Sequence, residues 1–205
     1  MSSHAKYPPL ISTDSPAAAS MGADAPAPLI ERITTRYSPV QDRMSLAGEL
    51  PGSLPVVLWL SQRLLLRLLP RLFECLHRHG CADLQRVAGP GEQSALAVSA
   101  FQRFAQQAAV QQLTPQVPVH TPVHTPEALV GSVSIGHSAL CVRLEFQGLG
   151  DALPVAMVLR APELRQWLII LERQWREAQW PTGVWPDWLV DAADCGQSEM
   201  PAAVH

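Results

Sequence analysis

The chain is expected to fold as an α+β protein built from two βββα units in tandem, over about residues 30 to 80 and 130 to 178. Three observations predict this. Leu54-Pro55-Val56 leads through an apolar run to Leu60 and a helix-like segment, and Leu153-Pro154-Val155 leads through another to Leu159 and a second helix. An alternating stretch lies upstream of each, Arg43 to Leu50 in the first half and Val142 to Gln147 in the second. A further β-like run precedes those, Ile33 to Tyr37 and Val133 to His137. Self-similarity at a fixed spacing speaks to architecture before chemistry, and it suggests two halves related by a pseudo-twofold.

The expected organisation is a disordered tail over 1–28, a first βββα unit over 29–82 and a connector with a helix over 83–113. A Pro- and His-containing linker over 114–127, a second unit over 128–189 and a loose end over 190–205 complete it. The tail is rich in Ser, Ala, Pro and Asp and carries no apolar core of the kind a secretory signal needs. Ile33 to Tyr37 and Met44 to Leu50 form a hairpin across the turn-forming Ser38 to Asp42. Val56 to Leu60 is a continuous apolar run, as in a strand buried on both faces.

Ser61 is positioned to cap the first helix and Gly80 to stop it. Arg63, Arg67, Arg71, Glu74 and Arg78 make its polar stripe, and Leu64, Leu65, Leu68, Leu69, Phe73 and Leu76 cover the rest. Pro70 predicts a kink or break near residues 66 to 69. The connector helix, about 92 to 113, places Leu96, Ala100, Phe101, Phe104 and Ala108 at helical spacing with Gln on the far side. The following repeat, Pro118-Val119-His120-Thr121-Pro122-Val123-His124-Thr125-Pro126, predicts a stiff extended linker or exposed loop.

Strands near 130–137, 140–147 and 153–159 lead to the last helix, which opens with Pro162 and Glu163. Its apolar stripe is Leu164, Trp167, Leu168, Leu171 and Trp175, opposite Arg165, Glu172, Arg173 and Arg176. Trp180, Trp185 and Trp188 follow, separated by prolines.

With 16% charged residues and a net charge of −3, the chain has little charge to cover its outside and no overall basic character to attract nucleic acid. Arginines at 63, 67 and 71 interrupt the one run long enough to suggest a membrane span, so no transmembrane segment is expected. Four cysteines without an export signal predict reduced thiols and a cytoplasmic location.

Chemistry-bearing patterns are sparse. Cys75, His79 and Cys81 are the nearest approach to a zinc set, yet they lack a Cys-x-x-Cys pair, and the plainer reading is a helix end with Cys75 in the core. His120 and His124 follow from the Pro-containing repeat, and His137 and Cys141 share no face. No nucleophile elbow, phosphate loop or dinucleotide fingerprint occurs, so no catalytic residue, cofactor or metal is assigned.

The expected function is that of a non-catalytic cytoplasmic binding or assembly factor whose partner is another protein or a second copy of itself. Trp185 and Trp188 are the expected anchors, because Trp carries much interface energy, while Trp180 is expected to be structural. Arg63, Arg67 and Arg71 are the second candidate surface. They also define one alternative, a sheet-based single-strand nucleic-acid binder, although the sheet lacks the aromatics such platforms use. The other alternative is an enzyme with a site between the two units.

Overall fold

The computed structural model of the chain describes residues 26–52, 54–88, 95–114, 116–150 and 154–190, with backbone alone for 82–88 and 95–96. Six strands lie in sequence order in one mixed sheet: β1 (Arg32–Ser38), β2 (Arg43–Leu50), β3 (Leu54–Leu60), β4 (Glu127–His137), β5 (Cys141–Gly148) and β6 (Val155–Arg160). Each trio is an antiparallel meander, and the two trios join through a parallel pairing of Val57–Trp59 with Glu127–Leu129. Helices α1 (Gln62–Ala88) and α2 (Ala95–Gln111) lie between β3 and β4, and α3 (Ala161–Glu177) follows β6. The architecture is therefore α+β, with both trios contributing to a single sheet rather than to separate domains.

Alternation decides which face of the sheet is covered. In β2 the buried positions are Met44, Leu46 and Gly48, and in β5 they are Val142, Leu144 and Phe146, each separated by half-buried residues. Period-two burial is what a strand with one face on a core produces. Their partners across the ladders are Leu60, Leu58 and Val56 on β3 and Leu159, Met157 and Val155 on β6. Asp42, at φ 47°, helps turn β1 into β2, and short polar side chains tolerate that left-handed backbone better than most.

The two edges of the sheet meet at one point. Ala156 of β6 donates its N–H to Pro28 O at 2.9 Å, and Ile30 N–H donates to Ala156 O at 2.8 Å, so the segment entering β1 pairs in parallel with the last strand. Ala27 and Ile30 are buried. The stretch expected as a tail to residue 28 thus joins the fold by residue 27, because its backbone supplies bonds that the edge of β6 otherwise lacks.

Ser61 caps α1 as expected, its Oγ accepting from Leu64 N–H at 3.3 Å. Two expected interruptions of this helix, a break at Pro70 and a stop at Gly80, do not occur. Pro70 does not break it: the helix is continuous through that position, and Pro70 lies on the solvent side beside exposed Leu66, where water can serve the carbonyl that loses its donor. Gly80 does not end it either. A Cβ there would overlap Gln102 Nε2 and sit 3.2 Å from Phe101 Cδ1, so the glycine permits close approach of α2 and the helix runs on to Ala88.

The orientation expected for α2 is met only in part: Phe101 and Ala108 are half-buried and Gln107 and Gln111 exposed, but two of its glutamines turn inward. Gln102 and Gln106 are buried, whereas Phe104 is 70% exposed and Ala100 also faces solvent. Gln102 Nε2 donates to Leu76 O of α1 at 3.0 Å, and Gln106 Nε2 donates to Arg165 O of α3 at 3.2 Å. A side-chain amide carries both donors and an acceptor, so the buried Gln row ties three helices together through backbone carbonyls. Arg165 and Glu172, expected on the open side of α3, are buried at 3% and 1% exposure, Arg165 donating to Gln102 O and Gln106 Oε1 of α2 and Glu172 pairing with Arg176.

The expected stripe of α3 is borne out: Leu164, Trp167, Leu168, Leu171 and Trp175 are all buried. Residues 113–114 and 116–126 run without regular secondary structure and are mostly exposed, but Val119 is buried and donates its N–H to Thr34 Oγ1 at 2.9 Å. Leu153, the expected counterpart of Leu54, and the expected end from residue 191 lie outside the described residues.

Candidate functional site

The polar row of α1 faces solvent over about four turns. Arg63, Leu66, Arg67, Pro70, Arg71, Glu74, His77 and Arg78 are all exposed, at the i, i+3, i+4 spacing of one helical face. Glu74 is held by Arg78 at 2.5 Å and by Arg71 at 3.5 Å, and the Arg78 guanidinium beside it keeps its carboxyl below the usual glutamate range. Arg63 and Arg67 make no ion pair among the described residues. A positive end and a self-neutralised end therefore share the helix.

The tryptophans divide differently from expectation. Trp180 is buried, its indole N–H donating to Asp42 Oδ1 at 3.1 Å and its ring edge-on to Tyr37 and Trp175. Trp185, expected to be open to a partner, is only 6% exposed. It lies edge-on to Trp175 at 5.6 Å and to Phe73 at 5.9 Å. The turn Thr182–Val184, closed by Trp185 N–H to Thr182 O at 3.1 Å, folds that ring back onto α1 and α3. Trp188 is half-buried, 6.0 Å from Phe73 and with the Arg165 guanidinium 5.5 Å from its ring centroid.

Phe73, Glu74, His77, Gln102 and Trp188 line an open groove of about 280 Å³ between α1, α2 and the C-terminal segment. Its position continues the exposed face of α1: Leu66 and Pro70 lie two turns and one turn before Phe73 and Glu74. The structure thus brings Trp188 and the Arg63–Arg71 row onto one side of the molecule through α1, and withdraws Trp185 into the core. Sequence reading missed Phe73, His77 and Gln102 as groove residues. No local pattern marks them, since Phe73 reads as helix core and Gln102 as solvent-facing until Trp188 and Gly80 are placed opposite.

Other candidates do not assemble. No group of three or more His, Cys, Asp or Glu that could hold a metal occurs among the described residues. Cys75 is buried and its thiol is pushed up by that burial, the reverse of an activated nucleophile. His120 and His124 are exposed in the linker, and His137 Nε2 lies 3.0 Å from Arg78 Nη1. The face of the sheet opposite the core carries one aromatic among the described strand residues, Trp59, whose indole N–H is taken by Glu127 Oε2 at 2.8 Å. That offers no stacking row for bases. No described helix is long and apolar enough to cross a membrane.

Compared with known proteins, the chain matches no family model, no curated protein and no solved structure.

Proposed function

We propose that this chain is a non-catalytic protein-binding module whose contact surface is the outer face of α1 together with the Phe73–Trp188 groove. One observation carries the reading: exposed arginines at 63, 67 and 71 flank exposed Leu66 and Pro70, and the row leads into a groove walled by two aromatic rings. An apolar centre with a charged rim is the anatomy of a protein interface. Trp188 fits an anchor, large and half in water, with Arg165 beneath it. The proposed compartment is the cytoplasm, a reading supported by free thiols at Cys75 and Cys141.

We also read the fold as an internal repeat. Support comes from the matched burial of β2 and β5, from equivalent ladder pairings such as Met44 with Leu60 and Val142 with Leu159, and from parallel joins at both Val57 and Ala156. Each helix reaches the other trio, α3 touching β1 as well as its own β5 and β6, and α1 touching β4.

The test of the binding reading is retention of a partner by the full chain from its own cell extract after nuclease treatment. Wild type should retain a protein that Trp188→Ala and Arg63→Glu/Arg67→Glu lose while melting normally. Retention of nucleic acid alone, or equal retention by both variants, overturns it.

A further inference from the structure

We infer that the outer face of α1 receives an acidic amphipathic helix from a partner protein, seated there as α2 is seated on α3. The inference rests on the binding reading and on the repeat, and it names the shape and charge of the occupant.

Superposing the trios by their ladders aligns the two helices that follow them. Leu60 and Leu159 occupy the same ladder position, and α1 and α3 begin two residues after each, at Gln62 and Ala161. The same shift carries buried Leu65, Leu68, Leu69, Leu72 and Leu76 of α1 onto buried Leu164, Trp167, Leu168, Leu171 and Trp175 of α3. One face of each helix therefore does the same work against the sheet.

The next face does not. On α3 the row Arg165, Ile169 and Glu172 is 3%, 0% and 1% exposed. Gln106 Nε2 donates to Arg165 O, and Gln166 Nε2 donates to Ala109 O at 3.0 Å, so α2 is fastened along that side. The equivalent row on α1 is Leu66, Pro70 and Phe73, of which the first two are exposed and the third half-buried. Here α2 meets α1 further along, at Leu76 and Gly80, and among the described residues nothing stands where α2 stands on α3.

A row at i, i+4 and i+7 is the ridge against which another helix packs. The charge is particular to the uncovered helix: Arg63, Arg67 and Arg71 correspond to Pro162, Gln166 and Ile170 on α3. Three cations within about 12 Å along the axis, two of them without an acidic neighbour among the described residues, complement a row of Asp or Glu on the incoming helix. Its apolar face would meet Leu66 and Pro70, and one large apolar side chain would enter the Phe73–Trp188 groove.

The test replaces Leu66 by the photo-crosslinking residue p-benzoylphenylalanine in the full chain, with the same residue at exposed Val40 as the control, in extract of the native cell. Mass spectrometry then maps the attached segment. The mapped segment, made as a labelled peptide, is titrated by anisotropy against the full chain and followed by circular dichroism. The expected result is a segment with acidic residues at i, i+3 or i+4 that gains helicity on binding. Leu66→Glu and Arg67→Glu should each weaken it by about tenfold or more, with a reduced salt dependence for the latter. Arg67→Ala, at an exposed position, serves if a variant loses its fold. Attachment to an extended or basic segment, or to a second copy of this chain, overturns the helix and leaves the binding reading standing. Attachment to lipid or nucleic acid alone, or no difference between positions 66 and 40, overturns both.

Discussion

The indole N–H of Trp167 donates to Thr35 Oγ1 at 3.0 Å, joining the helix of the second trio to the first strand of the first across 132 positions of chain. Both groups are buried, Trp167 at 2% and Thr35 at 7% exposure. A single hydroxyl on the core face of β1 thus satisfies the one polar atom that a large core ring carries.

Replacing Thr35 by Val keeps the shape and removes the acceptor. The Trp167 N–H is then left without a partner, at a cost of about 1–3 kcal/mol. Thr35→Ser retains the oxygen and should cost less. Urea unfolding of the three proteins checks this, and equal stability of Thr35→Val and wild type would mean that water reaches the indole.

Gly80→Ala in a helix interior ordinarily stabilises by about 0.5–1 kcal/mol. Here the new methyl would press on Gln102 Nε2, which its bond to Leu76 O holds in place. The expected sign is destabilising, by about 1–2 kcal/mol, the scale of overpacking. In a Gln102→Ala background the same substitution should become neutral or favourable, and a double-mutant cycle by thermal melts reads the difference.

The tryptophans of the C-terminal segment should separate in the same way. Trp185→Ala removes a ring packed between Trp175 and Phe73 and should cost about 3–5 kcal/mol. Trp188→Ala, at the rim of the groove, should cost under about 1.5 kcal/mol and act on binding instead. Comparable losses for the two would place Trp188 in the core and remove the anchor.

Much of this architecture was legible because it is written in local periods. The strands and the apolar stripe of α3 follow from alternation and from i, i+3, i+4 spacing, and Ser61 announces its cap. What was not legible depends on partners distant in the chain. Gly80 reads as a stop until Gln102 is placed 22 positions away, and the Gln row of α2 reads as solvent-facing until the carbonyls of Leu76 and Arg165 stand opposite. Trp185 and Trp188 look alike in sequence, and only the turn at Thr182–Val184 sends one inward and leaves the other at the rim. For the site, the exposed arginines were legible and the groove was not, since its walls come from three separated segments.

Glu163 ties the start of α3 to the end of β6, accepting from Arg160 N at 2.9 Å and from Arg160 Nε at 2.9 Å. The Arg160 side chain holds the Glu163 carboxyl below its ordinary value, so this group stabilises the fold above the unfolded-state pKa of about 4.3 and loses that contribution as pH falls through the folded one. Arg160 is mostly exposed, and solvent screening keeps that contribution small. Glu163→Gln should therefore be slightly less stable than wild type at neutral pH and equal to it in strong acid. A gap that persists unchanged at about pH 2 would assign the effect to lost packing rather than to charge.

The closure of the sheet yields the last prediction. Ile30 is 8% exposed within the main core, and a Cβ at Gly48 would lie 3.0–3.1 Å from three of its side-chain atoms, so the glycine leaves the space that Ile30 fills. Phe146, at the matching position of β5, fills its own space. A chain beginning at residue 32 should thus be less stable than one beginning at residue 26, since it lacks the Ile30 side chain and the bonds joining Ala156 to Pro28 and Ile30. Burial of one isoleucine, these two backbone hydrogen bonds and the one from Glu31 N–H to Glu49 O together suggest a loss of about 3–5 kcal/mol. Truncation alone could act through the new terminus, so Gly48→Ala supplies the control. It should destabilise the chain from residue 26, where the methyl meets Ile30, and be neutral or stabilising in the chain from residue 32, where the space is empty. If Gly48→Ala costs the same in both, Ile30 does not occupy that space, and the two edges of the sheet are not held together by this segment.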